Sequence, residues 1–298
     1  MRILLLSPWR NVWVDYMQRY FNSKGHILAF SKFLDVKDVK ASDVVICGWA
    51  DDMAAVLGKN QKLAKKYVLF VRSYEYYHNL VNNINYKNFD HIFFLNTHIM
   101  NQCFKAFDNI KSKSFLTKNA LPLEKFHFID REQGKNVLFL ANINHKKGIS
   151  LLVQIIRKMP DYRFYIVGGV QELRFYEYLK ENMRSNVTYL GYQADINAVM
   201  KNMHYILCTS PAEGNPNNII EGMATGLKPV IHKYLGYEGQ FPSEYCFHTV
   251  DEAIEIITSN VYMPSVYRKY IEDNYDMNKV YLDIEKLLID EKKEAVNV

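Results

Sequence analysis

The sequence predicts an α/β chain of two doubly wound domains in tandem. Three observations predict it. The chain is 298 residues long, enough for a large core and two domains. Apolar runs of strand length alternate with segments of helical period, the grammar of parallel sheets covered on both faces. That alternation loosens once, near residues 120–135, and then restarts.

The elements follow in order. "RILLL" (2–6) reads as a strand. "NVWVDYMQRYFNSKG" follows it as a helix, with Trp13, Tyr16, Met17, Tyr20 and Phe21 on one face and Gly25 as the stop. "HILAF", "DVVICG", "YVLFV" and "HIFFL" are the next strands, each separated by a helical stretch. "NALPLEKFHFIDREQGKN" then mixes Pro, Gly and charges of both signs, as an interdomain linker does. The second series of strands is "NVLFLA", "RFYIVGG", "VTYLG", "HYILCTS" and "KPVIH", with helices such as "GISLLVQIIRKM" and "INAVMKNM" between them. Beyond residue 250 the chain reads as mostly helical through "VYLDIEKLLIDEKK". The expected domains are 1–125 and 126–298, the final helix packing back on the first. Open sheets of this kind take ligands at the carboxyl ends of their strands, and two such domains are expected to face a cleft.

Composition narrows the chemistry. With 49% hydrophobic and 23% charged residues, this is an ordinary globular chain. A net charge of +5 suits anionic small molecules, a membrane surface or plain solubility, and falls short of a nucleic-acid footprint. Cys47, Cys103, Cys208 and Cys246 have no short spacing, so neither a CxxC zinc site nor a redox site is expected. The start "MRILLLSPWR" is too short an apolar run for a signal peptide, and no later run approaches a membrane span, so a cytoplasmic protein is expected. No GxGxxG, GxxxxGK[ST] or GxSxG motif follows any strand, and there is no Asp-x-Asp pair or His cluster for a metal.

The segment "EGNPNNIIEGMATG", Glu213 to Gly226, carries the functional signal. Asn215 suits an N-cap and Pro216 the first helical position. The helix would open at the carboxyl edge of the sheet after "HYILCTS". Its free N–H groups and positive dipole end suit a phosphate there. Glu213 lies just before the helix, and Glu221 about one to one and a half turns into it. The two carboxylates therefore straddle an anion site, placed to accept hydrogen bonds from sugar hydroxyls.

That segment resembles the E-x7-E motif of retaining GT-B glycosyltransferases of family 4. "NVLFLANINHKKGISLLVQII", "FYIVGG" and "NVTYLGYQADINAVM" are similar to that family's preceding units, so residues 136–232 are well covered. The resemblance implies two Rossmann-like domains, the first on the acceptor side and the second holding a UDP- or GDP-linked sugar. It implies that Glu221 binds the ribose hydroxyls and Glu213 the transferred sugar, with the backbone of the Asn215, Pro216, Asn217 and Asn218 segment, and the N–H groups of its three asparagines, close by. It implies that Lys147 pairs with the donor diphosphate, and that the Gly191-Tyr192 turn passes the nucleobase.

Two positions depart from the family. An Arg usually stands five positions before the Lys; here Asn142 stands there, and Arg10 in the first loop is a candidate replacement. Many relatives place a His after the strand that is "YVLFV" here, where this chain has Arg72, followed by Glu75 and His78. Arg72 is read as a clamp on the sugar or an anionic group, against the plainer reading of an Arg72–Glu75 surface pair. The implied function is retaining, metal-independent transfer of a sugar to a glycan or glycolipid hydroxyl, with no cofactor beyond the donor. A weak peripheral membrane contact through "KNQKLAKKY" competes with a solvated helix face. The rival readings are a nucleotide-sugar-binding protein without turnover and a DNA-modifying glucosyltransferase.

Overall fold

The computed structural model describes residues 1–289. The chain divides into two units. One is Met1–Pro122 together with the segment that begins at Asp276, and the other is Leu123–Tyr275.

The first unit runs β1 (Arg2–Leu6), α1 (Val12–Ser23), β2 (Ile27–Ser31), α2 (Val36–Lys40), β3 (Val44–Cys47), α3 (Asp52–Lys59), β4 (Lys66–Val71), α4 (Ser73–Tyr77), β5 (His91–Phe94), α5 (Thr97–Ala106) and β6 (Ser114–Leu116). Its strands pair in the order β2-β1-β3-β4-β5-β6, all parallel. The reason for the unbroken apolar runs is visible in their alternation. Leu4 and Leu6 enter the core on one face, with Val45, Cys47, Leu69 and Val71. Ile3 and Leu5 enter the core on the other, with Val44, Ile46, Val68 and Phe70. A period of two applied to two buried faces leaves no polar position.

The second unit runs β7 (Asn136–Leu140), α6 (Ile149–Lys158), β8 (Arg163–Val167), α7 (Leu173–Asn182), β9 (Val187–Gly191), α8 (Ile196–Met200), β10 (Tyr205–Cys208), α9 (Asn217–Ala224), β11 (Lys228–His232), β12 (Cys246–Phe247), α10 (Val250–Thr258) and α11 (Pro264–Asn274). Its strands pair as β12-β11-β10-β7-β8-β9, again all parallel. The order reverses between β7 and β10 here, and between β1 and β3 in the first unit. Those are the two places where loops diverge and a doubly wound sheet opens a crevice.

A last helix, α12 (Met277–Ile289), belongs to the first unit. It buries Met277, Val280, Tyr281, Ile284 and Leu288 against α1 and the β1 face. Glu285 anchors it: Oε2 accepts from the Tyr20 hydroxyl at 2.7 Å, and Oε1 lies 2.7 Å from His26 Nε2. Burial works against the charge of Glu285, but the Tyr20 and His26 bonds outweigh it and hold the carboxyl below its usual range.

Several details differ from the sequence reading. The units divide at Pro122/Leu123 rather than after residue 125. Each sheet has a sixth, short edge strand that was not anticipated, β6 and β12. The expected helix over "VYLDIEKLLIDEKK" is seen to Ile289; its last four residues lie outside the described residues. All four cysteines are free and buried. No helix among the described residues is long and apolar enough to cross a membrane.

Candidate active site in the C-terminal unit

The loops after β7 and β10 meet at the strand reversal. The β7 loop turns through Gly148, whose φ of +61° is left-handed. A Cβ there would lie 2.0 Å from the carbonyl oxygen of Thr209, at the end of β10. Thr209 in turn donates its hydroxyl to the carbonyl of Lys147 at 2.8 Å. Only a glycine allows this approach, and the approach sets Lys147 opposite Glu213.

Lys147 Nζ donates to Glu213 Oε1 at 2.5 Å. Their side chains are 27% and 14% exposed, so water screens the pair poorly. Burial pushes the Lys147 pKa down, but the adjacent Glu213 carboxylate outweighs burial and raises it overall. Lys147 is thus a fixed cation. An ammonium has three N–H donors, so one bond to Glu213 leaves others for an anion.

Helix α9 begins at Asn217, with Pro216 at its N-cap and no side-chain cap. Asn215 was expected to cap it. Instead Asn215 is buried, and its amide nitrogen donates to Gln240 Oε1 at 2.8 Å and to the Tyr275 hydroxyl at 3.3 Å. A tertiary network has taken the side chain that local rules assign to the cap. Asn218 reaches across the reversal, its amide nitrogen donating to Leu140 O at 3.0 Å. Gly222 lets α9 lie close on the sheet, since a Cβ there would meet Ile206 at 2.6 Å. First-turn N–H groups of a helix have no intrahelical acceptor; in α9 the Ile219 N–H donates to Asn218 Oδ1 at 3.0 Å.

Glu221 lines a pocket of about 290 Å³ together with Leu140, Asn142, Gly168, Tyr192 and Ile196. Burial raises its pKa to about 7. A carboxyl so placed, beside a hollow that Asn142, Gln193 and Asn218 also line, is suited to hydroxyl donors from a ligand. Asn142 has a structural task as well as a pocket position. Its Oδ1 accepts from Gly169 N at 2.9 Å, which ties the β7 loop to the β8 loop. Gly191 ends β9 with φ +66°, and Tyr192 after it is 77% exposed at the pocket edge. Sequence reasoning missed Gly168 and Ile196 as lining residues. Their only signal was position, immediately after β8 and at the start of α8.

Arg72 lies in the other unit, and its guanidinium is already engaged. It stacks between the indoles of Trp13 and Trp49, 4.7 and 4.9 Å from their centroids, and Nε donates to Gly48 O at 3.2 Å. Burial lowers its pKa. The Arg72–Glu75 surface pair does not form, because Glu75 is buried and its Oε1 accepts from Ala50 N at 3.0 Å. Arg10 donates to Asp15 and Gln18 on the surface. Among the described residues, no three His, Cys, Asp or Glu side chains cluster as metal ligands.

Residues 134–243 match the family model for glycosyl transferases group 1. No sequence among curated proteins matches the chain. Solved structures do. Anabaena Alr3699/HepE in complex with UDP is 14% identical with a TM-score of 0.80, covering 97% of this chain and 99% of that one. Sucrose-phosphate synthase from Thermosynechococcus elongatus is 12% identical with a TM-score of 0.78, covering 96% and 98%. The lipopolysaccharide outer core galactosyltransferase WaaB is 14% identical with a TM-score of 0.70, covering 97% and 99%. The fold is GT-B. The residues matched by the family model contain Lys147, Glu213 and Glu221, while the first unit is alike in fold alone.

Proposed function

We propose that this protein is a retaining glycosyltransferase that needs no metal and moves a sugar from a UDP-linked donor to a saccharide hydroxyl. The observation that carries this reading is the Lys147–Glu213 pair at the strand reversal, inside the segment that matches group 1 glycosyltransferases. The UDP and UDP-glucose complexes of the Anabaena neighbour support the choice of nucleotide. Lys147 faces the diphosphate and stabilises the charge that grows as the sugar–oxygen bond breaks. The departing diphosphate oxygen takes the acceptor proton while the acceptor oxygen bonds the anomeric carbon on the same face. Glu213 and the first turn of α9 orient the transferred sugar, Glu221 accepts from ribose hydroxyls, and the Gly191-Tyr192 turn passes the base.

A hydrolysis and transfer assay with UDP-sugars tests the reading. Turnover should persist in excess EDTA, because the charge facing the diphosphate is an ammonium. Loss with chelator and recovery with manganese would show that a metal carries that charge instead.

Glu221 yields a pH test. A ribose hydroxyl is held best by the carboxylate, and burial keeps that form scarce below about pH 7. Affinity for uridine, which carries no phosphate, should therefore fall as pH drops from about 8 to about 6. Glu221→Gln should abolish that pH dependence and cost about 1–3 kcal/mol of affinity at the higher pH. Calorimetry reads both, and a flat wild-type profile would remove Glu221 from the ribose.

A further inference from the structure

The N-terminal unit has a pocket of its own, about 390 Å³, at its strand reversal. Segments that follow four neighbouring strands build it: Pro8 and Trp9 after β1, Phe33 and Leu34 after β2, Trp49 after β3, and Tyr74 and Glu75 of α4 after β4. The walls are aromatic and unusually bare. Trp9 is 52% exposed and Phe33 is 79% exposed. Trp9 meets Trp49 edge to face, with ring centroids 5.4 Å apart.

Trp49 is braced from behind. Its indole nitrogen donates to Ser7 Oγ at 3.1 Å, Ser7 Oγ donates to Trp9 O at 2.7 Å, and the buried Arg72 guanidinium stacks on its face. An indole held this way is a rigid platform, ordered before any ligand arrives. The floor carries Glu75, which is 1% exposed. Its Oε1 accepts from Ala50 N, but Oε2 is buried with no hydrogen-bond partner. Burial also raises its pKa, which favours the protonated carboxyl, able to donate as well as accept. A buried polar oxygen without a partner is rare in folded chains and calls for one.

An exposed indole, Trp9, beside the braced Trp49 and a carboxyl suits a pyranose. The ring's C–H face packs flat on an indole, and its hydroxyls at the rim bond the carboxyl. An acyl chain would cover the rings but leave the carboxyl oxygen unpaired. Charge narrows the ligand further, for Asp51 and Asp52 line the pocket against a single ammonium, Lys32. A uronate or phosphorylated sugar would meet carboxylates. We infer that this pocket binds an uncharged hexose ring of the acceptor, packed on Trp9 and Trp49 with a hydroxyl on Glu75. The word acceptor rests on the transferase reading above; the saccharide site stands on the pocket alone.

The test uses the full chain labelled with nitrogen-15, reading the indole N–H signals of its three tryptophans. The probes are the methyl glycosides of glucose, galactose, mannose and N-acetylglucosamine, with glucuronate and hexanol for contrast. At least one methyl glycoside should shift the Trp9 and Trp49 signals saturably, and glucuronate should not. Trp9→Ala, an exposed change, should weaken that glycoside about tenfold, and Glu75→Gln should weaken it by a smaller factor. UDP affinity, measured by calorimetry, should be unchanged in both variants. No shift with any methyl glycoside overturns the proposal. So does an equal response to glucuronate, a response to hexanol alone, or full glycoside affinity in Trp9→Ala. Failure of UDP to bind, with glycoside shifts intact, would overturn the transferase reading and leave the saccharide site standing.

Discussion

Lys147→Ala is expected to lower turnover about 100- to 1000-fold, roughly 3–4 kcal/mol of barrier, while changing uridine affinity by no more than about twofold. The asymmetry follows from what the ammonium does. Charge builds on the diphosphate as the sugar leaves, so a cation aimed there contributes far more in the transition state than in nucleoside binding. The effect should be large because Lys147 is 27% exposed and held by Glu213 at 2.5 Å, so little solvent replaces it. Removing the lysine also takes the adjacent cation away from Glu213, which is only 14% exposed. The variant should therefore melt earlier, and adding Glu213→Gln should restore part of that loss. Steady-state kinetics beside uridine calorimetry check the main claim. Turnover and uridine affinity falling by one common factor would mean that the substitution had damaged the fold around the site.

Gly148→Ala is expected to destabilise the C-terminal unit by about 2–5 kcal/mol, combining the cost of a left-handed φ with that of an overpacked contact. The added Cβ would sit 2.0 Å from a backbone carbonyl, Thr209 O, which cannot rotate aside as a side-chain tip can. Gly239→Ala is the control. Gly239 has φ +74° in the same unit, but a Cβ there meets nothing within 4 Å. It should lose only about 1 kcal/mol, the backbone share. Hydrogen exchange of the β10 amides reads the local difference. Equal losses at the two glycines would show that the contact at Thr209 relaxes freely.

Both sheets were legible from the sequence because their strands are buried on both faces. Runs such as "RILLL" and "YVLFV" have no amphipathic rival reading. The edge strands were not legible for the same reason reversed. β12 is only Cys246–Phe247, and β6 only Ser114–Leu116, too short to carry a period. At the site, the spacing of Glu213 and Glu221 carried weight only together with its strand-loop-helix context and its resemblance to the E-x7-E motif. What spacing could not reveal was competition from distant side chains. Asn215 looks like an N-cap until Gln240 and Tyr275 arrive from 25 and 60 residues away. Arg72 looks like a surface cation until Trp13 and Trp49 close on it from elements far along the chain. Asn142 was legible as a missing arginine, but its bond to Gly169 depends on the pairing of β7 with β8.

The docking of α12 into the first unit has a consequence for synthesis. A ribosome releases Met1–Pro122 long before it reaches Asp276, and the whole of Leu123–Tyr275 emerges in between. The second unit can thus reach its final state while the first still waits for a helix. Through that interval Tyr20 and His26 lack the Glu285 carboxyl, and the face that takes Tyr281, Ile284 and Leu288 stays wet and apolar. A nascent chain stalled before residue 276 should accordingly bind a chaperone that recognises apolar surface, and release it once α12 has emerged. The element that completes the first unit is thus translated only after the whole of the second, so cleavage in the 276–289 segment would wound a unit whose other residues lie far upstream.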